Sequence, residues 1–200
     1  MTSFFAYLSD DPRYAEQREP RPTALRRGWL VTLLGKAVIA VVKLRFRVVL
    51  AGRLPPVPCV VFSRHDNYWD GVIMAVLDSR ICPITSRFWK KAPLVGRFLT
   101  GYRVIWTKDG AVDSAVAAVR AGGCPWIALY GFERRTTQRE PRSGAAHIAR
   151  AANCPLVPVS LTMGRGRRPT LAITVGQPIH VLPGETTEAL TNRISGTGAG

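Results

Sequence analysis

Short apolar runs alternate along the chain with longer segments in which apolar residues recur at helical spacing. The short runs are typical of buried strands and the longer segments of helices packed on them. Strands are predicted at 44–50, 59–62, 81–85, 102–106, 125–130, 156–161 and 170–175. Helices are predicted at 25–43, 72–77, from 109 or 113 to 121, at 143–152 and at 185–194. This alternation predicts an α/β fold, a single domain with a mainly parallel central sheet flanked by helices.

The chain is expected to divide into an N-terminal arm at 1–24, a helix at 25–43, the α/β domain at 44–195 and a tail at 196–200. From Trp29 to Val42 the helix is apolar except for Lys36, a length about two-thirds of the ~20 residues needed to cross a bilayer. Basic residues flank both ends, which favours an amphipathic or apolar membrane-docking helix in the headgroup region. A core helix beneath the sheet is the alternative.

The charge is strongly positive, with 28 Lys and Arg against 13 Asp and Glu and a net charge of +15. Such a surface attracts polyanions: anionic lipid headgroups, nucleic acid, phosphorylated small molecules or an acidic carrier protein. The net charge by itself does not indicate which of these partners binds. The linker Gly164–Arg168 carries three arginines, and a basic hairpin turn is a commoner origin for such a segment than a nucleic-acid patch.

The four cysteines form no Cys-x-x-Cys pair, and each of them adjoins a proline next to an apolar run. We expect reduced thiols associated with strands, as in a cytoplasmic protein. No Cys/His pair has ligand spacing, so no metal site is expected. The opening residues are too short an apolar run for a signal peptide.

Candidate chemistry is concentrated just after the run 59–62. His65 leaves the predicted strand, and Asp70 follows five positions later in the first turn of the next helix. If the two side chains meet, the carboxylate holds one imidazole nitrogen and the other is able to take a proton, which describes a general base. The alternative is a turn histidine and a carboxylate that only satisfies backbone N–H groups at a helix start.

Two more polar segments follow predicted strands, at Thr107–Lys108 and at Glu133–Arg135. Loops at the carboxyl ends of parallel strands gather in one crevice, so we expect the base and an arginine cluster to meet there. His147 and His180 lie elsewhere in the pattern and are expected to be structural.

Four segments together resemble the glycerolipid acyltransferase family. Arg64-His65 through Asp70 matches its His-x-x-x-x-Asp block, and 101–106 matches its second block, with Thr107 in place of the usual arginine and Lys108 adjacent. Arg142-Ser143-Gly144-Ala145-Ala146 matches the helix start of the third block, whose preceding Phe-Pro-Glu-Gly-Thr-Arg segment is degraded to 129–135. The Val-Pro-Val strand of the fourth block is matched at 157–159.

The resemblance implies transfer of a fatty acyl group from acyl-CoA or acyl-carrier protein to a hydroxyl of a lysophospholipid or related lipid alcohol. It implies a catalytic dyad of His65 and Asp70, no cofactor, no metal and no nucleic acid partner. The substrate-binding residues that it implies are Arg134, Arg135, Glu133, Lys108, Arg103, Arg142 and Gly144. Either Glu133 stands for the glutamate of the third block or Arg134 takes its arginine and no glutamate remains. The expected location is the cytoplasmic face of the cell membrane, as a peripheral or monotopic protein.

The departures in the second and third blocks leave the acceptor open between lysophosphatidate and another lipid or glycolipid alcohol. A function of a different class also fits the charge: a non-catalytic basic protein that binds membranes or nucleic acid. A lipid hydrolase is a third possibility, although no Gly-x-Ser-x-Gly nucleophile elbow is present.

Overall fold

The computed structural model describes residues 29–64, 70–91, 99, 102–107, 110–129 and 141–197. The predicted arm at 1–24 and the start of the first helix lie outside these residues. The described helices are α1 (Trp29–Arg45), α2 (Asp70–Leu77), α3 (Ala111–Arg120), α4 (Gly144–Ala152), α5 (Thr187–Ser195) and a 3-10 turn (Arg87–Lys91). The described strands are β1 (Arg47–Ala51), β2 (Val60–Ser63), β3 (Ile81–Ser86), β4 (Ile105–Thr107), β5 (Cys124–Ala128), β6 (Leu156–Met163) and β7 (Thr170–Val175).

The seven strands form one sheet in the order β1-β7-β6-β2-β5-β3-β4. Every neighbouring pair is parallel except β6 and β7, which are antiparallel and joined by the basic turn Gly164–Arg168. The predicted hairpin turn is therefore confirmed, and so is the single α/β domain with a mainly parallel sheet. β2 lies at the centre of the sheet, which places its exit between the ends of β5 and β6.

The alternation of side chains along β2 supplies both faces of the sheet. Val60 and Phe62 belong to a core covered by α3, α4 and α5, whereas Val61 belongs to a second core with Trp126 and the α2 residues Ile73 and Met74. All are buried, as expected for a strand whose two faces are both covered by helices.

Helix α1 packs on the α2 side of the sheet through only part of its surface. Val42 and Phe46 are buried in the second core, whereas Leu33, Val41 and Leu44 on the outer side are 56%, 56% and 79% exposed. The helix thus has a side that faces the core and an exposed apolar side. Among the described residues, no helix has both the length and the apolar character to cross a bilayer.

Two predicted strand starts are wrong. Residues 44 and 45 continue α1, because the N–H of Phe46 donates a helical bond to the carbonyl of Val42 and the Phe46 ring is buried, so β1 begins only at Arg47. Residues 102–104 form a turn before β4, in which Arg103 has a positive φ of 60°. Burial of Phe46 and a left-handed turn residue are tertiary features that local alternation does not reveal.

All four cysteines are free and buried, and they lie within strands or just before them, as predicted. Cys59 comes just before β2, and Cys124 is the first residue of β5. Their sulfur atoms are 3.7 Å apart. The hydrogen bond to Cys124 and burial both raise the pKa of the Cys59 thiol, and burial raises the pKa of Cys154 to about 12. These thiols act as small apolar core groups at neutral pH.

Gly52, in the turn after β1, and Gly184, elsewhere in the chain, both have left-handed backbones and differ in the space around them. Gly52 has φ +83° and an added Cβ there would lie 2.8 Å from the carbonyl oxygen of Val175, whereas Gly184 has φ +74° and open space. We expect Gly52→Ala to lower the free energy of unfolding by about 2–5 kcal/mol and Gly184→Ala by only about 1–2 kcal/mol. Urea unfolding of both variants measures the difference, and equal losses would contradict the close approach of β1 to β7.

Candidate active site

Polar groups gather at the edge where β2, β3, β4, β5 and β6 end, here called the carboxyl edge. The register aligns the ends of neighbouring strands, since Ser63 pairs with Ala128 and Ser86 pairs with Thr107. In an open parallel sheet the crevice at this edge is where ligands bind. The central exit is that of β2, and the loop that follows it contains His65.

Two buried side chains hold the exit of β2. The indole Nε1 of Trp126 donates a hydrogen bond of 2.9 Å to the Oγ of Ser63, and the two residues are 5% and 1% exposed. The Trp126 ring also lies beneath the start of α2, because a Cβ added to Gly71 would be 3.7 Å from its Cζ3. One indole therefore contacts both ends of the loop that carries His65. This role of Trp126 was not predicted, because the local pattern around it indicates only a strand residue.

Asp70 is the first residue of α2 and is only 3% exposed, which confirms its predicted place in the first helical turn. A carboxylate is favoured at a helix N-terminus by the backbone N–H groups and the helix dipole. A buried carboxylate requires partners, and the loop between Arg64 and Asp70 is five residues long. His65 lies outside the described residues, so its pairing with Asp70 stays a prediction.

Backbone hydrogen bonds bring a second predicted residue to this exit. The N–H of Leu129 donates to the carbonyl of Ser63 at 2.9 Å, and the N–H of Arg142 donates to the carbonyl of Leu129 at 2.8 Å. The exposed Arg142 therefore lies close to the end of β5 and to the neighbouring end of β2. Gly144 then opens α4, where an added Cβ would lie 2.8 Å from the Cδ1 of Ile127. A residue without a side chain lets this helix start lie against β5.

The structure therefore brings Asp70, Arg142 and Gly144 to the carboxyl edge. Arg103 is placed differently: it is half-buried and precedes β4 by two residues, toward the amino end of that strand. The remaining predicted binding residues lie outside the described residues: Lys108, Glu133, Arg134 and Arg135. The binding roles of all these residues stay predictions.

The other two histidines lie on a helix surface and after the last strand. His147 is exposed on α4, and His180 is half-buried after β7. Within the described ranges, no three metal-ligating side chains are grouped closely enough to hold an ion.

The fold and this edge define the class: a three-layer α/β protein with polar and basic groups at the carboxyl ends of parallel strands. The model of the family described as Acyltransferase matches residues 45–162, more than half of the chain. The chain belongs to the acyltransferase family, which confirms the resemblance drawn from its motifs and the prediction of an acyl-transferring enzyme. The matched region contains every predicted site residue, from His65 to Gly144.

The fold is similar to that of a solved structure, the 1-acyl-sn-glycerophosphate (LPA) acyltransferase PlsC from Thermotoga maritima. The TM-score is 0.66 at 16% sequence identity, and the match covers 86% of this chain and 80% of that one. At this identity the likeness concerns the fold. No curated protein sequence matches the chain significantly.

Proposed function

We propose that the protein transfers a fatty acyl group from an acyl thioester to a hydroxyl of a lysophospholipid or related lipid alcohol. The observation that carries the proposal is the buried Asp70 carboxylate at the start of α2, one loop after the central strand. It lies inside the region matched by the acyltransferase family and five residues after His65. The similarity of the fold to an LPA acyltransferase supports a lipid acceptor.

In this mechanism His65 is the general base and Asp70 orients it. An alcohol with a high pKa attacks a thioester slowly, so removal of its proton during attack lowers the barrier. The acceptor oxygen bonds to the thioester carbonyl carbon while the imidazole takes the hydroxyl proton. The C–S bond then breaks, the ester remains on the acceptor, and the thiolate leaves and takes the proton back. Asp70 holds the required tautomer and stabilises the imidazolium.

Basic residues at the carboxyl edge are proposed to bind an anionic headgroup. Arg142 lies there, and the predicted Lys108, Arg134 and Arg135 come from loops that follow β4 and β5. Guanidinium groups bind phosphate oxygens through charge-assisted, often bidentate hydrogen bonds. The donor is acyl-CoA or acyl-carrier protein, and either is anionic and suits the net charge of +15.

The proposed location is the cytoplasmic face of the cell membrane, with peripheral or monotopic attachment. The exposed apolar side of α1 supports this, because a basic helix with an apolar face suits the headgroup region. The boundaries of the arm, this helix, the acyltransferase domain and the tail remain those predicted from the sequence.

A transfer assay tests the proposal. Purified protein is incubated with radiolabelled acyl-CoA or acyl-carrier protein and with lysophosphatidate, other lysophospholipids or glycolipid alcohols in turn. We expect a labelled ester that requires the acceptor and is lost in His65→Ala, whereas binding of that variant to liposomes is retained. Absence of transfer with every donor and acceptor would favour a non-catalytic basic protein. Release of free fatty acid without an acceptor would favour a hydrolase.

A further inference from the structure

Six exposed cations cluster where α1 ends and β6 turns into β7. With the exposed Leu44 between them they form a surface called here the hairpin patch. Its cations are Lys43, Arg45, Arg47, Arg165, Arg167 and Arg168. They come from two segments more than a hundred residues apart in the sequence, so only the fold brings them together.

Direct hydrogen bonds hold the two halves of the hairpin patch in place. The guanidinium Nη2 of Arg168 donates to the carbonyl of Lys43 at 2.9 Å, and Nη1 of Arg45 donates to the carbonyl of Arg167 at 3.4 Å. Two ion pairs of the described residues, Arg80–Asp78 and Arg193–Glu185, both lie outside the patch. Like charges held close together repel one another, and a polyanion on the patch relieves that repulsion.

Exposed apolar residues accompany these cations. Leu44 is 79% exposed and Val41 56%, on the outer side of the last turns of α1. On β1, at the edge of the sheet, Val49 and Leu50 are also about half exposed. Nucleic acid or an acidic protein is matched by the charge alone, whereas an anionic bilayer offers phosphates for the arginines and acyl chains for Leu44. The combination therefore favours a lipid surface.

The hairpin patch lies at the carboxyl edge of the sheet, as the candidate active site does. β6 runs parallel to β2, and their last paired residues are Phe62 and Pro158. β6 then continues to Met163, so the turn stands roughly 16 Å farther along the strand direction, at a rise of about 3.3 Å per residue. A flat surface bound by the patch would therefore face the carboxyl edge.

We propose that the hairpin patch docks the protein on an anionic phospholipid bilayer and turns the carboxyl edge toward the lipid. The orientation rests on the proposed function for its meaning, since it brings a lipid acceptor to Asp70 and Arg142. The binding itself does not depend on catalysis.

Sedimentation with vesicles of phosphatidylcholine, with or without phosphatidylglycerol, tests the charged half of the patch. Arg165→Gln/Arg167→Gln removes two exposed charges and leaves the Arg168 bond intact. We expect about a thirtyfold loss of affinity for the anionic vesicles, because each arginine near the surface contributes about fivefold. The matched control is Arg120→Gln/Arg150→Gln, which removes two charges from the last turns of α3 and α4, where these helices return to the opposite edge.

Leu44→Gln tests the apolar half and is expected to weaken binding to both kinds of vesicle. Its control is Leu182→Gln, an exposed leucine close to the bridge between Ile179 and the first residue of β6, at the opposite edge. Equal vesicle binding by each variant and its control would overturn the proposal. So would a loss of binding to RNA or to acidic carrier protein by Arg165→Gln/Arg167→Gln with vesicle binding unchanged. Failure of the proposed function appears separately, as absence of acyl transfer by the wild-type protein in vesicles that it binds.

Discussion

Asp70→Asn is expected to lower kcat for acyl transfer by about 10³–10⁴-fold while the protein remains folded. Asparagine is nearly isosteric with aspartate but neutral, so it neither stabilises an imidazolium nor selects the tautomer that leaves the other nitrogen free as a base. The carboxylate is buried at the start of α2, where water is poorly placed to replace it. Steady-state kinetics with saturating acyl donor measure the loss.

Asp113→Asn is the matched control, because Asp113 is an exposed aspartate in the first turn of α3. It should lose at most the small stabilisation of a helix-terminal charge and retain its kcat. If Asp70→Asn behaves like Asp113→Asn, Asp70 serves only the helix terminus and the proposed dyad is wrong. Circular dichroism and thermal unfolding of both variants separate loss of function from loss of fold.

The second large effect is expected at Trp126, which we assign as a positioning residue. Trp126→Phe retains an aromatic ring between β2 and α2 but removes the donor to the buried Ser63 hydroxyl. An unpaired buried hydroxyl costs about 1–3 kcal/mol of stability. Because the indole contacts both ends of the loop that carries His65, a displacement of the loop should lower kcat by roughly 10–100-fold.

A double-mutant cycle with Ser63→Ala distinguishes positioning from packing. Removing both partners leaves no unpaired hydroxyl, so the double variant should be more stable than the sum of the single losses predicts. A positioning role requires kcat to fall while KM for the acyl donor changes little. If activity follows stability alone, with unchanged kcat for the folded fraction, Trp126 is only a core residue.

Local sequence signals predicted much of the candidate site. The place of Asp70 in the first turn of α2 follows from an apolar strand, a polar loop and an apolar helix in succession. The start of α4 after Arg142 follows from the small residues 144–146. By contrast, the strand predicted from Leu44 failed because burial of Phe46, four residues after Val42, extends the helix. Burial against a distant sheet is not encoded in the local pattern.

The α/β class, the order of the elements along the chain and the resemblance to the acyltransferase family could all be predicted from the amino-acid sequence. These depend on local periodicity and on spacings of a few residues. The hydrogen bond from Trp126 to Ser63 across 63 positions, and that from Arg168 to the carbonyl of Lys43 across 125, could be found only from the folded structure. Such contacts arise because the strand order places distant segments side by side. Which strands are neighbours depends on how the whole sheet packs with its helices, and not on the local sequence.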